Sequence, residues 1–216
     1  MNIRKLFSHT PATAVVCVAC LAVFVVSALQ ARSLGNTIGH SRLGADMVLY
    51  GPFAASEPLG WTRALTAGFA HLDVTHISVN LLMLALVGTE VERFVGTGPF
   101  ALAYAGGLLG SSAAVLTMNF TTPTVGASGA LYMLMALLAA IAYRRHTDLR
   151  APFAFVALNL LYSVITPQVS LWGHVGGLLT GMVVAWPLTH PDTRIRWAGA
   201  ALGVGLGAAA VALPLR

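Results

Sequence analysis

The sequence predicts an all-α fold, a polytopic bundle of transmembrane helices. Three observations predict it. Charged residues make up only 9% of the 216 positions and hydrophobic residues 57%, whereas a soluble domain carries about a quarter charged residues to coat its surface. Mean hydropathy is +0.79. The apolar residues fall in long continuous runs rather than in alternation. A bilayer admits only helices and closed barrels, because every backbone polar group must be satisfied within the protein, and continuous runs select helices.

The formal charge of +5 does not point to nucleic acid. The twelve lysines and arginines are scattered at the ends of the apolar runs, where they set topology, and no basic cluster with interleaved aromatics is present. Cys17 and Cys20 form a C-x-x-C inside an apolar run. Redox or metal chemistry needs a polar, accessible setting, so these cysteines read as small apolar packing residues.

Seven spans follow in order. Residues 1–10, with Arg4 and Lys5, form a short N-terminal segment, and residues 11–29 form span 1, read as a retained span rather than a cleaved signal. Residues 30–70 mix Arg32, Arg42, Asp46, Glu57 and Arg63 with apolar pieces such as Met47 to Tyr50, which predicts a membrane-associated loop. Residues 71–189 hold spans 2 to 6: His71 to Gly88, Pro99 to Met118, Ser128 to Tyr143, Pro152 to Ile165 and Leu171 to Thr189. Gly106 and Gly110 of span 3 are spaced for close helix contact. Residues 190–216 add a polar link and a Gly/Ala-rich seventh span, Trp197 to Leu213. With the N-terminus in the cytoplasm, the inner segments hold eight basic residues (Arg4, Lys5, Arg93, Arg144, Arg145, Arg150, Arg194, Arg196) and the outer segments four (Arg32, Arg42, Arg63, Arg216). That asymmetry favours this orientation.

Polar residues inside the spans converge in depth. Ser128 lies 16 residues before Arg144, His174 lies 16 before His190, and His76 lies 14 before Glu90. At a rise of about 1.5 Å per residue these are heights of about 24, 24 and 21 Å above the inner ends of their spans. All three therefore lie several ångströms below the outer surface of a core about 30 Å thick. By the same count His71 stands about 28 Å up, near the surface, as a structural or interfacial residue. Span 4 must then begin below the surface, where non-helical backbone is tolerated only beside a wet cavity. Gly126 and Gly129 permit a tight turn there. The unpaired N–H groups at the helix start favour negative charge.

Facing agrees with depth. His76 and Asn80 are i and i+4, as are Ser128 and Tyr132. His174, Gly177 and Gly181 fall on one face of span 6, smooth enough for span 4 to approach closely. The chemistry this predicts is nucleophilic catalysis, with Ser128 as nucleophile and His174 as general base. His76, Asn80 and the Ser128 N–H would stabilise an oxyanion, and Tyr132 would pack against or orient His174. No acid lies in spans 4 to 6, so a dyad is expected rather than a triad. Asp73 is read as a helix cap, Glu90, Glu92 and Arg93 as a cytoplasmic helix-end network, and His9, His40, His146 and His190 as exposed loop residues.

These motifs resemble the rhomboid family of intramembrane serine proteases over about Trp61 to Thr189. His71-x4-His76-x3-Asn80, Gly126-Ala127-Ser128-Gly129 with Tyr132, and His174-x2-Gly177-x3-Gly181 occur in the family's order on successive helices. The resemblance implies a Ser128–His174 dyad, with His76 and Asn80 lining the oxyanion hole. It also implies a six-helix core carrying an added seventh span, and a membrane-dipping first loop before His71. Glu92-x3-Gly96 looks like the end of the family's second helix. One departure is that Trp61 and Arg63 are separated by Thr62, where the family often has adjacent Trp-Arg.

The implied function is cleavage of membrane protein substrates within or next to their transmembrane segments, in a prokaryotic plasma membrane, with no metal, nucleotide or other cofactor. Rival readings fit less well. No H-E-x-x-H or Gly-x-Gly-Asp occurs, which argues against membrane zinc and aspartyl proteases. A transporter would lead one to expect internal repeats, and none is visible. A proteolytically inactive relative that binds membrane clients would lack the serine or the histidine, and both are present.

Overall fold

The computed structural model describes residues 9–166 and 168–216. The expected N-terminal segment with Arg4 and Lys5 lies almost wholly outside the described residues. The described chain is helical, with a single isolated β-bridge between Leu49 and Thr124.

Helix α1 (Pro11–Ala31) is the first expected span, two residues longer than the apolar run. Pro11 suits its first turn, where a missing N–H costs nothing. Its next two N–H groups, of Ala12 and Thr13, donate to the Glu92 carboxylate at 3.0 and 2.7 Å. The hydroxyls of Thr13 and Thr97 reach the same carboxylate at 2.6 and 2.9 Å. Glu92 is only 1% exposed, so the helix-end network expected of it is a buried one. It caps a different helix from inside the protein, because the N-terminus of α1 supplies no side chain of its own to satisfy those donors. Glu90 does lie at the periphery, paired with Arg145 at 2.5 Å.

The segment expected to be a membrane-associated loop folds into short helices. These are α2 (Arg42–Met47), α3 (Gly51–Ser56) and a run of single turns from Gly60 to Phe69. Arg63 organises it. The guanidinium is buried, donates to the carbonyls of Ala45 (2.7 Å) and Val48 (3.0 Å), and pairs with Glu57 at 2.6 Å. The spacer Thr62 therefore leaves the arginine in an anchoring position, while Trp61 is exposed.

Helix α4 spans Val74–Val95, longer than the expected span 2, with a π-helical stretch at Leu84–Gly88. Its start is capped by Asp73, which accepts from the His76 N–H at 2.8 Å. Four further helices follow: α5 (Thr97–Met118), α6 (Ser128–Arg144), α7 (Arg150–Ile165) and α8 (Leu171–Leu188). The last is α9 (Thr193–Ala212). Five helices are long and apolar enough to cross a membrane, and α6 and α7 are shorter apolar helices of 17 and 16 residues. The protein is a multi-pass membrane protein.

Helix α6 is the centre of the bundle. Every residue from Gly129 to Leu137 is buried, as expected of a helix apolar on all sides. By contrast α1 exposes Val15, Val18 and Leu29, α7 exposes Phe153, Leu158 and Ile165, and α9 exposes Leu202 and Leu206. These faces suit lipid. The seventh span has a definite packing role. A β-carbon at Gly106 of α5 would come within 2.9 Å of the Gly203 backbone of α9, so the two backbones touch through glycine.

Candidate active site

Three separate constraints shape the turn before α6. Thr124 exchanges both backbone hydrogen bonds with Leu49 (2.9 and 3.0 Å), and Gly51 N–H donates to the Phe120 carbonyl at 2.8 Å. Gly126 N–H donates to the Ala67 carbonyl at 2.9 Å. The first loop thus braces the approach to Ser128. Gly126 has φ +123°, a conformation open to glycine and strained for other residues. Ser128 then opens α6, half-buried, in the first turn where backbone N–H groups lack helical acceptors.

His174 stands in the first turn of α8, whose cap Ser170 accepts from the Gly173 N–H at 3.2 Å. The face carrying Gly177 and Gly181 lies on α6. A β-carbon at Gly177 would overlap the Gly129 carbonyl oxygen, and one at Gly181 would sit 2.7 Å from the Met133 carbonyl oxygen. That approach brings His174 Nε2 to 2.7 Å from Ser128 Oγ. The Tyr132 ring stacks on the imidazole, 4.1 Å between centroids at 16°. His174 Nδ1 lies 2.6 Å from Ser163 Oγ of α7, where a triad would have a carboxylate.

His76 and Asn80 share one face of α4, four residues apart, and His76 faces the same turn. The point a Gly126 β-carbon would occupy is 2.7 Å from His76 Nε2 and 3.8 Å from Ser128 Oγ, so both side chains converge there. Leu72 N–H donates to His76 Nδ1 at 3.4 Å. With Nδ1 an acceptor, the ring proton sits on Nε2, which is therefore a donor toward Ser128. Asn80 Nδ2 donates to the His76 carbonyl at 2.8 Å and keeps a second N–H, while its Oδ1 is buried without a partner. His71, expected as a structural or interfacial residue, is buried within the protein. The first loop folds over it, with Thr37 Oγ1 donating to its carbonyl at 2.5 Å, and its ring packs edge-on against His76 at 5.1 Å. His9, His40 and His146 are exposed, but His190 is half-buried, its carbonyl accepting from Arg196 at 2.7 Å.

A Rhomboid domain model matches residues 58–191. This chain belongs to the rhomboid family. Among its relatives, Rhomboid protease GluP of Bacillus subtilis is 36% identical over 137 residues, 61% of this chain and 27% of that protein. Human Rhomboid-related protein 3 is 24% identical over 187 residues, 87% of this chain and 45% of that protein. RHOMBOID-like protein 6, mitochondrial, of Arabidopsis thaliana is 31% identical over 135 residues, 58% of this chain and 43% of that protein. The chain thus spans less than half the length of these rhomboid relatives.

One residue of this rhomboid site escaped the reading of the sequence. Ser163 is one polar residue in an apolar helix, with no neighbour in sequence to mark it. In chemical terms the site offers a hydroxyl bonded to an imidazole, beside a second imidazole and a helix N-terminus. Among the described residues no cluster of three metal-ligating side chains occurs.

Proposed function

We propose that this protein is an intramembrane serine endopeptidase that cleaves membrane protein substrates within or next to their transmembrane segments. The observation that carries the reading is the 2.7 Å contact between Ser128 Oγ and His174 Nε2, set in a half-buried site of a rhomboid-family membrane bundle. Polar groups at membrane depth are costly and are kept for function. The names of relatives such as Rhomboid protease GluP point the same way.

In this reading residues 71–189 form the catalytic core. His174 Nε2 takes the Ser128 hydroxyl proton as Oγ attacks the scissile carbonyl carbon. The carbonyl oxygen gains negative charge and is met by donors fixed in advance: His76 Nε2–H, the remaining Asn80 N–H and the Ser128 backbone N–H. Collapse breaks the C–N bond, and His174 returns the proton to the leaving amine. Water then hydrolyses the acyl-serine by the same route. The basic residues favour a cytoplasmic N-terminus and a site opening toward the outer face. The enzyme resides in the cell membrane. Helical substrate segments must unwind locally to expose a peptide bond to Ser128, since a helix engages its carbonyls in its own hydrogen bonds.

The test is labelling of detergent-purified protein with a serine-reactive fluorophosphonate probe. Wild type is expected to label, and Ser128→Ala and His174→Ala to stay unlabelled. A folded wild-type protein that does not label would overturn the protease reading, and labelling of Ser128→Ala would overturn the site.

A further inference from the structure

Helix α7 meets the rest of the bundle loosely. Phe153, Leu158, Leu161, Tyr162, Val164 and Ile165 are all exposed. Ser163 is its one buried residue, 3% exposed, and it lies against His174. Burying a hydroxyl without partners is costly, and here every bond it can make is filled. Ser163 Oγ lies 2.9 Å from the Asn159 carbonyl oxygen, 3.0 Å from Tyr132 Oη and 2.6 Å from His174 Nδ1. A hydroxyl has one proton and two lone pairs. A carbonyl oxygen can only accept, so the Ser163 proton goes to Asn159. The lone pairs are left to accept from Tyr132 O–H and from His174 Nδ1–H.

We infer that Ser163 is a positioning residue that fixes the tautomer of His174. With the ring proton held on Nδ1, the Nε2 lone pair faces Ser128, as a general base requires. When Nε2 takes the Ser128 proton, the Nδ1–H···Oγ bond persists and becomes charge-assisted, which strengthens it. The same contact ties the base to the seating of α7. If α7 shifts outward, Nδ1 loses its acceptor and the imidazole is free to take the other tautomer. The inference rests on the protease reading for its catalytic meaning, but the tautomer can be measured without it.

The experiment is nitrogen-15 histidine NMR of the detergent-purified full chain, with the His174 signals identified by their loss in His174→Ala. Fluorophosphonate labelling rates of wild type, Ser163→Ala and Ser163→Thr are measured alongside. Wild type is expected to carry its His174 proton on Nδ1. Ser163→Ala is expected to redistribute that proton toward Nε2 and to slow labelling on the order of 5- to 100-fold, the effect of leaving one buried donor unpaired. Ser163→Thr, which keeps the hydroxyl, is expected to recover most of both. A wild-type His174 protonated on Nε2 alone would overturn the inference even if Ser163→Ala failed to fold. So would a folded Ser163→Ala with an unchanged tautomer and labelling rate. If wild type shows the Nδ1 proton yet never labels, the protease reading falls and the assignment of the tautomer stands.

Discussion

Replacing Gly177 by alanine adds one methyl group at the place where α8 rests on α6. The new β-carbon would overlap the Gly129 carbonyl oxygen and lie 2.7 Å from the carbonyl carbon. Carbon atoms in contact sit about 3.5–4.0 Å apart, so α8 must retreat by about 1 Å. The backbone carbonyl cannot swing away, because it belongs to the first turn of α6. Gly129 adjoins Ser128, and Gly177 lies one turn from His174, so the retreat falls almost wholly on the Ser128–His174 contact. Stretched from 2.7 Å by that amount, the contact is no longer a hydrogen bond.

Overpacking of this kind costs about 1–3 kcal/mol of stability, while a displacement of about 1 Å at reacting groups costs on the order of 100-fold in rate. Gly177→Ala is therefore expected to stay folded and to label with the fluorophosphonate about 100-fold more slowly. Gly205→Ala is the internal control, since a β-carbon there meets nothing within 4 Å, and it is expected to label at the wild-type rate. A Gly177→Ala protein that labels within about twofold of wild type would refute the claim that glycine contact sets the geometry of the site.

Three further substitutions probe other parts of the account. Gly126→Ala must hold φ +123° with a side chain 2.7 Å from His76 Nε2, so labelling should fall by at least about 100-fold, with a stability loss of about 1–3 kcal/mol in a thermal melt. Glu92→Gln exchanges a carboxylate that accepts four hydrogen bonds for an amide that cannot accept them all. Equilibrium unfolding in detergent should register a loss of at least about 2 kcal/mol, and α1 should become accessible to protease before the remaining helices. Arg63→Ala strands the Ala45 and Val48 carbonyls and the Glu57 carboxylate. It should accelerate proteolytic nicking between α1 and α4 several-fold, and slow labelling less than Gly126→Ala does, because the loop braces the Ser128 turn without touching the reacting groups.

The helices were legible because membrane spans write themselves in one dimension, as apolar runs bounded by charge. The four polar residues of the site were legible because helical rise converts spacing into depth, and three runs gave similar depths for Ser128, His174 and His76. The meeting of Ser128, His174 and His76 at one turn is a tertiary fact that spacing alone only permits, and the glycine face of α8 was the sequence feature that pointed to it. Depth left the surroundings of His71 open, because a count along the helix says nothing about a loop folding over its end. Glu92 was legible as a helix-end residue but not as the cap of α1, because its partners there are some 80 residues away. Ser163 was silent because a hydroxyl in an apolar helix acquires meaning only from the imidazole set against it. The separation of Trp61 from Arg63 said nothing of the loop's anchoring, whereas the guanidinium donates to the Ala45 and Val48 carbonyls.

The central claim is that Ser128 breaks a peptide bond in a membrane-embedded substrate. The most direct measurement reconstitutes the protein in liposomes with a single-span model substrate and maps the products by mass spectrometry. The account predicts one pair of fragments from wild type, cut within or next to the transmembrane segment, and none from Ser128→Ala. An intact substrate after prolonged incubation with folded wild-type protein, or the same fragments from Ser128→Ala, would contradict it.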